Sequence, residues 1–433
     1  MSSTGRKAAA DPIAGPGVVQ RATLVLLAGA AMPVAVIAPL GLVPVMAAAA
    51  LVLALAAFMQ GARLDRAALT PPVVAVLALI GWALASSLWS DRPGSSADGA
   101  LRLLLLAFAG WALLAGVRCA PPPAGRTFAY AMAAGAFFAA VALMIDYFSA
   151  DVVLTRALYD WKGAVPLSAN AKSQLNRGAI LLVLLVWPLA LALARCHGRR
   201  AGWAAVALTG LVVFAGDSTA ARAALVAGAL VYALACISTR TAFRTLRIGL
   251  AVAVLGFPWL IALMPPPENA LYEPLAPSAH HRVTIWTFTA ERIEERPFAG
   301  WGMNASRWIP GGSDVQVFKM RNAKGGFFDN ELQNLPLHPH NAALQWWLEL
   351  GAGGAVLAVI ALWTLLGAIE RALAGRTNAA TAAAAAFAGA SVIAFVSFGI
   401  WQNWWLAALV VVAALLAVAQ RIEPAGGASA ARP

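Results

Sequence analysis

Residues 175–195 read LNRGAILLVLLVWPLALALAR. Between Gly178 and Ala194 the run carries no charge. A helix of this length rises about 30 Å, the thickness of the hydrocarbon core of a bilayer. The segment reads as a transmembrane helix, with Asn176 and Arg177 at one mouth and Arg195 at the other.

Outward from it the pattern repeats in both directions. Apolar runs at roughly 22–40, 42–60, 72–90, 98–117, 127–148, 175–195, 202–216, 220–238, 246–264, 341–368, 378–399 and 402–420 predict about twelve transmembrane helices. Only Gly41 separates the first two. The composition agrees: 61% of the 433 residues are hydrophobic and 12% are charged, against roughly 25% charged in a soluble domain. Arg6 and Lys7 ahead of an apolar run imitate a signal peptide, but the many later spans favour an uncleaved first helix. The expected fold is an all-α polytopic membrane protein.

The net charge of +12 is a topology signal rather than a nucleic-acid footprint. No basic stripe interleaves with aromatic residues as a nucleic-acid binder requires. Over half of the 31 basic residues fall in alternate short loops: Arg6, Lys7 and Arg21; Arg63 and Arg66; Arg118 and Arg126; Arg195, Arg199 and Arg200; Arg240, Arg244 and Arg247; Arg371 and Arg376; Arg421 and Arg432. The positive-inside rule places these loops and both termini in the cytoplasm. Cys119, Cys196 and Cys236 fall at the same ends, so no disulfide framework is implied. The chain divides into spans one to nine (1–264), a large outer loop (265–340), spans ten to twelve (341–420) and a tail (421–433).

Two long segments, 149–174 and 265–340, lie on the opposite side. The second opens on Pro265-Pro266-Pro267 and holds a helix from His281 to about Glu295, on which Arg282, Trp286, Thr289 and Ile293 share one face. Pro297 and Gly300 stop it. A long loop with its own helix is commonly functional. The alanine-rich stretch 379–386 suits a small-residue packing surface.

Spans four, six, eight and ten run inward, so their outer ends are helix N-termini, which favour anions. Several carry basic or proton-transferring residues. Lys172 precedes Asn176-Arg177, and Asp217-Ser218-Thr219 precedes Arg222. His338-Pro339-His340-Asn341 opens the tenth span, and Arg102 lies in the first turns of the fourth. Arginines here either snorkel to headgroups or bind an anion. Arg177 and Arg222 with Arg282 would suit a diphosphate without a metal. His340 is a candidate general base, or a cap of the tenth helix. His338 projects to the same side if Pro339 keeps it extended. An H-x-H pair could instead hold zinc with His280 or His281, but no cysteine is near and no acidic cluster would serve magnesium, so no metal or cofactor is expected. Asp329 and Glu331 read as solvated. Trp286, Trp301, Trp308, Trp346 and Trp347, and the run Trp401, Trp404 and Trp405, read as interfacial anchors.

His340-Asn341, nine residues, then Gly351-Ala352-Gly353-Gly354 resembles the H-N-x9-G-x-x-G motif of bacterial O-antigen ligases. Asn176-Arg177-Gly178-Ala179 resembles the N-R motif of the wider ligase and polymerase superfamily. Ser218 to Arg222 is similar to its S-R-G motif with looser spacing. Arg282, Trp286 and Pro297-Phe298-Ala299-Gly300-Trp301-Gly302 resemble the R…W…P-x-x-G-x-G stretch of the periplasmic loop. The likeness covers about 170–360 and the topology. It implies a GT-C-like glycosyltransferase of lipopolysaccharide biosynthesis in the bacterial inner membrane, with its active site facing the periplasm and no metal or nucleotide sugar. Such an enzyme moves O-antigen from undecaprenyl diphosphate to a lipid A-core sugar hydroxyl. His340, or else His338, would be the base. Arg177, Arg222 and Arg282 would hold the diphosphate, supported by Asn341, Asn176, Trp286, Lys172 and Arg102. The absence of a carboxylate pair at glycosidase spacing fits a single inverting displacement. Two alternatives stand beside it: an O-antigen polymerase or protein O-oligosaccharyltransferase with the same donor, and a transporter that binds a lipid-linked sugar in transit without chemistry, though no repeat halves are visible.

Overall fold

The computed structural model describes residues 15–62, 70–149, 154, 156–157, 171–272, 277–321 and 326–424. Helices α1 (Pro16–Ile37), α2 (Leu42–Met59), α3 (Pro71–Ala85), α4 (Pro93–Cys119), α5 (Gly125–Phe148), α6 (Ala171–His197), α7 (Arg199–Ala215), α8 (Thr219–Ile237) and α9 (Thr239–Ala262) come first. The loop follows, with helix α10 (Pro277–Glu295) and strands β1 (Val315–Arg321) and β2 (Phe327–Gln333). Helices α11 (Ala342–Ala372), α12 (Thr377–Val396) and α13 (Asn403–Ala419) close the bundle.

Every span expected from the sequence is a helix. Among the described residues, ten are long and apolar enough to cross a membrane. The remaining two, α7 and α13, have 17 residues each, the short end of the spanning range of about 17–25. The protein is an all-α polytopic membrane protein. Local chemistry sets the helix starts. Pro16, Pro71 and Pro93 occupy first-turn positions that have no amide partner to lose. Ser218, Ser238 and Asn341 accept backbone N–H groups of Ala221, Thr241 and Leu344 at 3.3, 3.1 and 3.1 Å.

The bundle is built around α6, whose most apolar window is 78% buried, against 22–56% for the other spans. It touches α1, α5, α7, α8, α12 and α13, and so lies inside the bundle. Small residues bring backbones together elsewhere. A Cβ at Gly135 on α5 would stand 2.3 Å from the Gly29 carbonyl oxygen on α1. The alanine-rich start of α12 is buried, as expected for a packing surface.

The molecule has two distinct poles. At one, arginines bind the free carbonyls of helix C-termini, as the dipole favours. Arg421 donates to Val117 and Ala120 at 2.8 and 2.7 Å, Arg195 donates to Ile422, and Arg247 pairs with Glu370. Both ends of the described chain lie here: Gly17 approaches Pro121 and Ile422 packs beside Gly125 and Cys196. The 265–340 loop covers the other pole. Arg63 and Arg66 lie outside the described residues, as does most of 149–174.

The loop is partly helical, as expected, and adds a hairpin: β1 and β2 form an antiparallel pair with Val317 opposite Glu331. Among the described residues Phe318 and Leu332 form its small core, while Val315 and Val317 are exposed. Two expectations need correction. Helix α10 begins at Pro277, four residues before His281. The tryptophans are mostly not lipid anchors. Trp301, Trp346, Trp347, Trp404 and Trp405 are buried, Trp347 donating to Val254 at 2.8 Å and Trp301 to Arg292 at 2.9 Å. Trp308 is exposed, with the Arg92 guanidinium 4.8 Å from its ring.

Candidate active site

The site is organised by a break in α11. Asn341 caps its start and Gly351, at φ +63° and ψ −164°, interrupts it. The nine residues between are a short first segment, buried throughout. Such a break frees backbone groups that need partners where no water is at hand. The Pro297–Gly302 segment supplies them. Trp301 and Gly302 N–H donate to Leu348 and Glu349 at 2.9 and 2.8 Å, while Ala352 and Gly353 N–H donate to Pro297 and Phe298 at 2.8 and 3.3 Å. Trp82 Nε1 takes the Leu350 carbonyl at 3.0 Å. A Cβ on Gly351 would lie 2.3 Å from the Phe298 oxygen, so only glycine fits.

Below this seam, Glu349 is wholly buried. Its carboxylate accepts from Asn304 N–H at 2.7 Å, Trp401 Nε1 at 2.6 Å, Gln345 Nε2 at 3.1 Å and the Ser306 hydroxyl. Gln345 Oε1 in turn accepts the Ile400 N–H at 2.9 Å. The linker between α12 and α13, residues 397–402, is thereby fastened to α11.

That linker faces the histidines. His340 sits at φ +54°, in the left-handed region that costs a non-glycine residue. Its Nδ1 meets the Ser397 carbonyl. A carbonyl only accepts, so the proton is on Nδ1 and the Nε2 lone pair is left as acceptor. Among the described residues, Nε2 has no hydrogen-bond partner. His338, with its ring 4.2 Å from that of His340, has both nitrogens occupied. Its Nδ1 accepts the His340 N–H at 3.2 Å, and Nε2 faces the Gln402 amide at 3.2 Å. Burial pushes His338 down to about 3, with His340 and Arg307 adding to the effect. Burial likewise pushes His340 down to about 4, against the Ser397 bond and reinforced by Arg282 and His281. Both rings are therefore neutral at pH 7.

Helix α10 lies alongside. Arg282 Nε donates to Val396 at 2.8 Å and Nη1 to Ser278 at 2.9 Å. Trp286 Nε1 donates to Pro339 at 2.9 Å, holding the His-Pro-His turn, and packs edge-on against Phe257 at 5.5 Å. Thr289 and Ile293 of the same face are buried.

The other expected residues are less tightly gathered. Arg177 lies 5.8 Å from the Trp404 ring, and Trp404 packs against Phe398 at 4.6 Å, so Arg177 reaches the linker through these two rings. Leu184 of α6 and Ala224 of α8 both approach Gly389 of α12. Counting about 1.5 Å per residue from that level, Arg177 and Ser397 share a depth and Arg222 starts about 8 Å deeper. Arg222 donates to Phe214 at 3.3 Å and to Gly216, capping α7. Ser218 is a helix cap rather than a site group. Arg102, the weaker candidate, pairs with Asp98 at 2.8 Å on an exposed face of α4. Asn341 is buried, its amide donating to Phe395 at 3.0 Å. Asn176 is half-buried, and the Lys172 side chain lies outside the described residues. His280 and His281 turn Nε2 to the carbonyls of Pro267 and Gln333, at 2.9 and 3.0 Å. Among the described residues, no group of three His, Cys, Asp or Glu could hold a metal ion.

Sequence reading passed over Glu349, Ser397, Gln402 and Arg307. Glu349 had a signal, a lone carboxylate inside an apolar span, which by default marks function. Ser397 acts through its backbone and had none.

A bundle of apolar spans, capped by a loop that completes a broken helix over a histidine–arginine group, defines a multi-pass membrane protein with a preorganised polar site at one pole. Residues 200–359 match the family model described as O-antigen ligase. It is 28% identical over 331 residues to a "Putative polysaccharide ligase" of Rickettsia felis, covering 76% of each chain. Relatives from Rickettsia prowazekii and Rickettsia typhi carry the same description with 31% and 32% identity over 235 residues. Those matches cover 54% of this chain and 55% of theirs, so the chain spans about half the length of these two relatives. No solved structure matches.

Proposed function

We propose that this protein is a glycosyltransferase that joins O-antigen, carried on undecaprenyl diphosphate, to a sugar hydroxyl of lipid A-core at the periplasmic face of the bacterial inner membrane. The observation that carries the reading is the His340 tautomer. The Ser397 carbonyl holds the proton on Nδ1 and leaves Nε2 free as a base beside Arg282.

In the reaction, the acceptor hydroxyl oxygen attacks the anomeric carbon while His340 Nε2 takes its proton. The bond from that carbon to the diphosphate oxygen breaks, the diphosphate leaves with the electron pair, and the centre inverts. The leaving group needs charge stabilisation more than a proton. Arg282 and Arg177 flank the linker and supply it; Arg222 contributes from deeper, after satisfying its carbonyls. His338 serves as a positioning residue through the His340 N–H. Arg102 is left out of the site, being paired at the surface. The loop forms the roof over two lipid-anchored substrates.

The test is reconstitution. Purified protein given lipid-linked O-antigen and lipid A-core should form the joined product in the presence of EDTA. His340→Ala should lose transfer while remaining folded. Transfer only to a different acceptor would replace the ligase reading, and near-normal turnover of His340→Ala would remove the base.

A further inference from the structure

Glu349 touches both the loop and the linker behind the histidines. Asn304 and Ser306 reach it from the loop. Trp401 reaches it from the linker, and Gln345, beside it on α11, ties in Ile400. The same short linker presents the Ser397 carbonyl to His340 Nδ1 and the Gln402 amide to His338 Nε2. At its middle the linker is tight: a Cβ at Gly399 would stand 3.0 Å from the His338 ring. A shift at Trp401 or Ile400 would therefore be felt at both imidazoles. We propose that Glu349 is a positioning residue for transfer, which couples the seating of the periplasmic loop to the tautomer of the base.

The physical case has two parts. Burying a carboxylate is costly unless it is fully hydrogen-bonded. Each of its oxygens here has two donors, and these come from three separate stretches of chain. Glu349 can be satisfied only when loop, α11 and linker are all in place, and removing any one leaves the others short of partners. In addition, Gly302 N–H is bonded to the Glu349 carbonyl, so the same residue holds the loop by its backbone as well. The loop cannot lift from α11 without releasing donors from the carboxylate, and with them the linker that orients His340.

This inference rests on His340 as the base, but one readout does not depend on the reaction. In protein with ¹⁵N-labelled histidine, native His340 should show a protonated Nδ1 and an unprotonated Nε2. Glu349→Gln, which sets an amide N–H against two of the donors, should mix the tautomers. It should also lower kcat on the order of 10²-fold, as for a misplaced catalytic group, while the KM for lipid-linked donor is little changed. Trp401→Phe removes a single donor, keeps an aromatic ring, and should give a smaller change in the same direction. If Glu349→Gln fails to fold, Trp401→Phe decides. A native tautomer and wild-type kcat in Trp401→Phe, or in folded Glu349→Gln, would overturn the proposal. A tautomer change in a protein that joins no sugars would keep the coupling and remove the transferase reading.

Discussion

His340 is held in a conformation that few histidines adopt, by a bond to a carbonyl rather than to a carboxylate. This sets its expected pH behaviour. Burial, with Arg282 adding, places its ionisation at about 4 in the free protein. The acid limb of kcat/KM should accordingly lie near 4 rather than near 6.5. On the proposed reading, a bound diphosphate would bring negative charge to the ring and stabilise the imidazolium, so the limb of kcat should lie higher. A kcat/KM limb at 6.5 in the pH–rate profile would contradict the assignment. Stability follows by linkage. In an opened loop His338 and His340 titrate near the ordinary value, whereas in place they stay neutral until about 3 and 4. The opened form binds more protons in that window. Loop stability should therefore fall as pH drops below 6.5 and be flat above it, as read by hydrogen exchange at residues 335–341. Arg102 gives the opposite kind of prediction. It is exposed and paired only within its own helix, so Arg102→Ala should leave transfer unchanged, since such pairs contribute roughly 0–1 kcal/mol.

Among the elements, α11 and the Pro297–Gly302 segment act as one unit. Gly351→Ala would put a Cβ against Phe298 in a backbone region that L-residues avoid. The expected loss is about 3 kcal/mol, seen as a lower thermal midpoint in detergent and faster proteolysis of the loop. Trp286→Phe keeps the ring but removes the bond to Pro339. It should cost about 1 kcal/mol and reduce turnover, because the His-Pro-His turn loses its tether to α10. The helices themselves were legible residue by residue, since an apolar run of spanning length has few other fates. Helix α10 was legible through the shared face of Arg282, Trp286, Thr289 and Ile293. The hairpin was not, because its strands, VQVFKMR and FFDNELQ, do not alternate apolar and polar residues throughout.

On the scale of the whole molecule, the arginine pole and the loop pole stand at opposite ends of the bundle. If the alternation of basic loops reports the membrane potential's sorting, they face opposite compartments. In a protein whose native cysteines have been replaced, Val317→Cys should react with an impermeant maleimide from the periplasm of intact cells. Arg240→Cys should react only after the inner membrane is opened. Labelling of both from one side would refute the two-sided arrangement.

The amino-acid sequence alone determined the helix count and the alternation of charged loops, because hydropathy and charge are written residue by residue. It also carried the H-N-x9-G pattern without its meaning: the cap and the break of one short helix segment. Tertiary structure decided which tryptophans turn inward, that Arg222 caps a helix and Arg102 faces outward, and which histidine keeps a free nitrogen. Those outcomes depend on backbone carbonyls at Ser397, Pro339 and Phe214, whose positions no side-chain pattern encodes. They exist only once distant segments have packed.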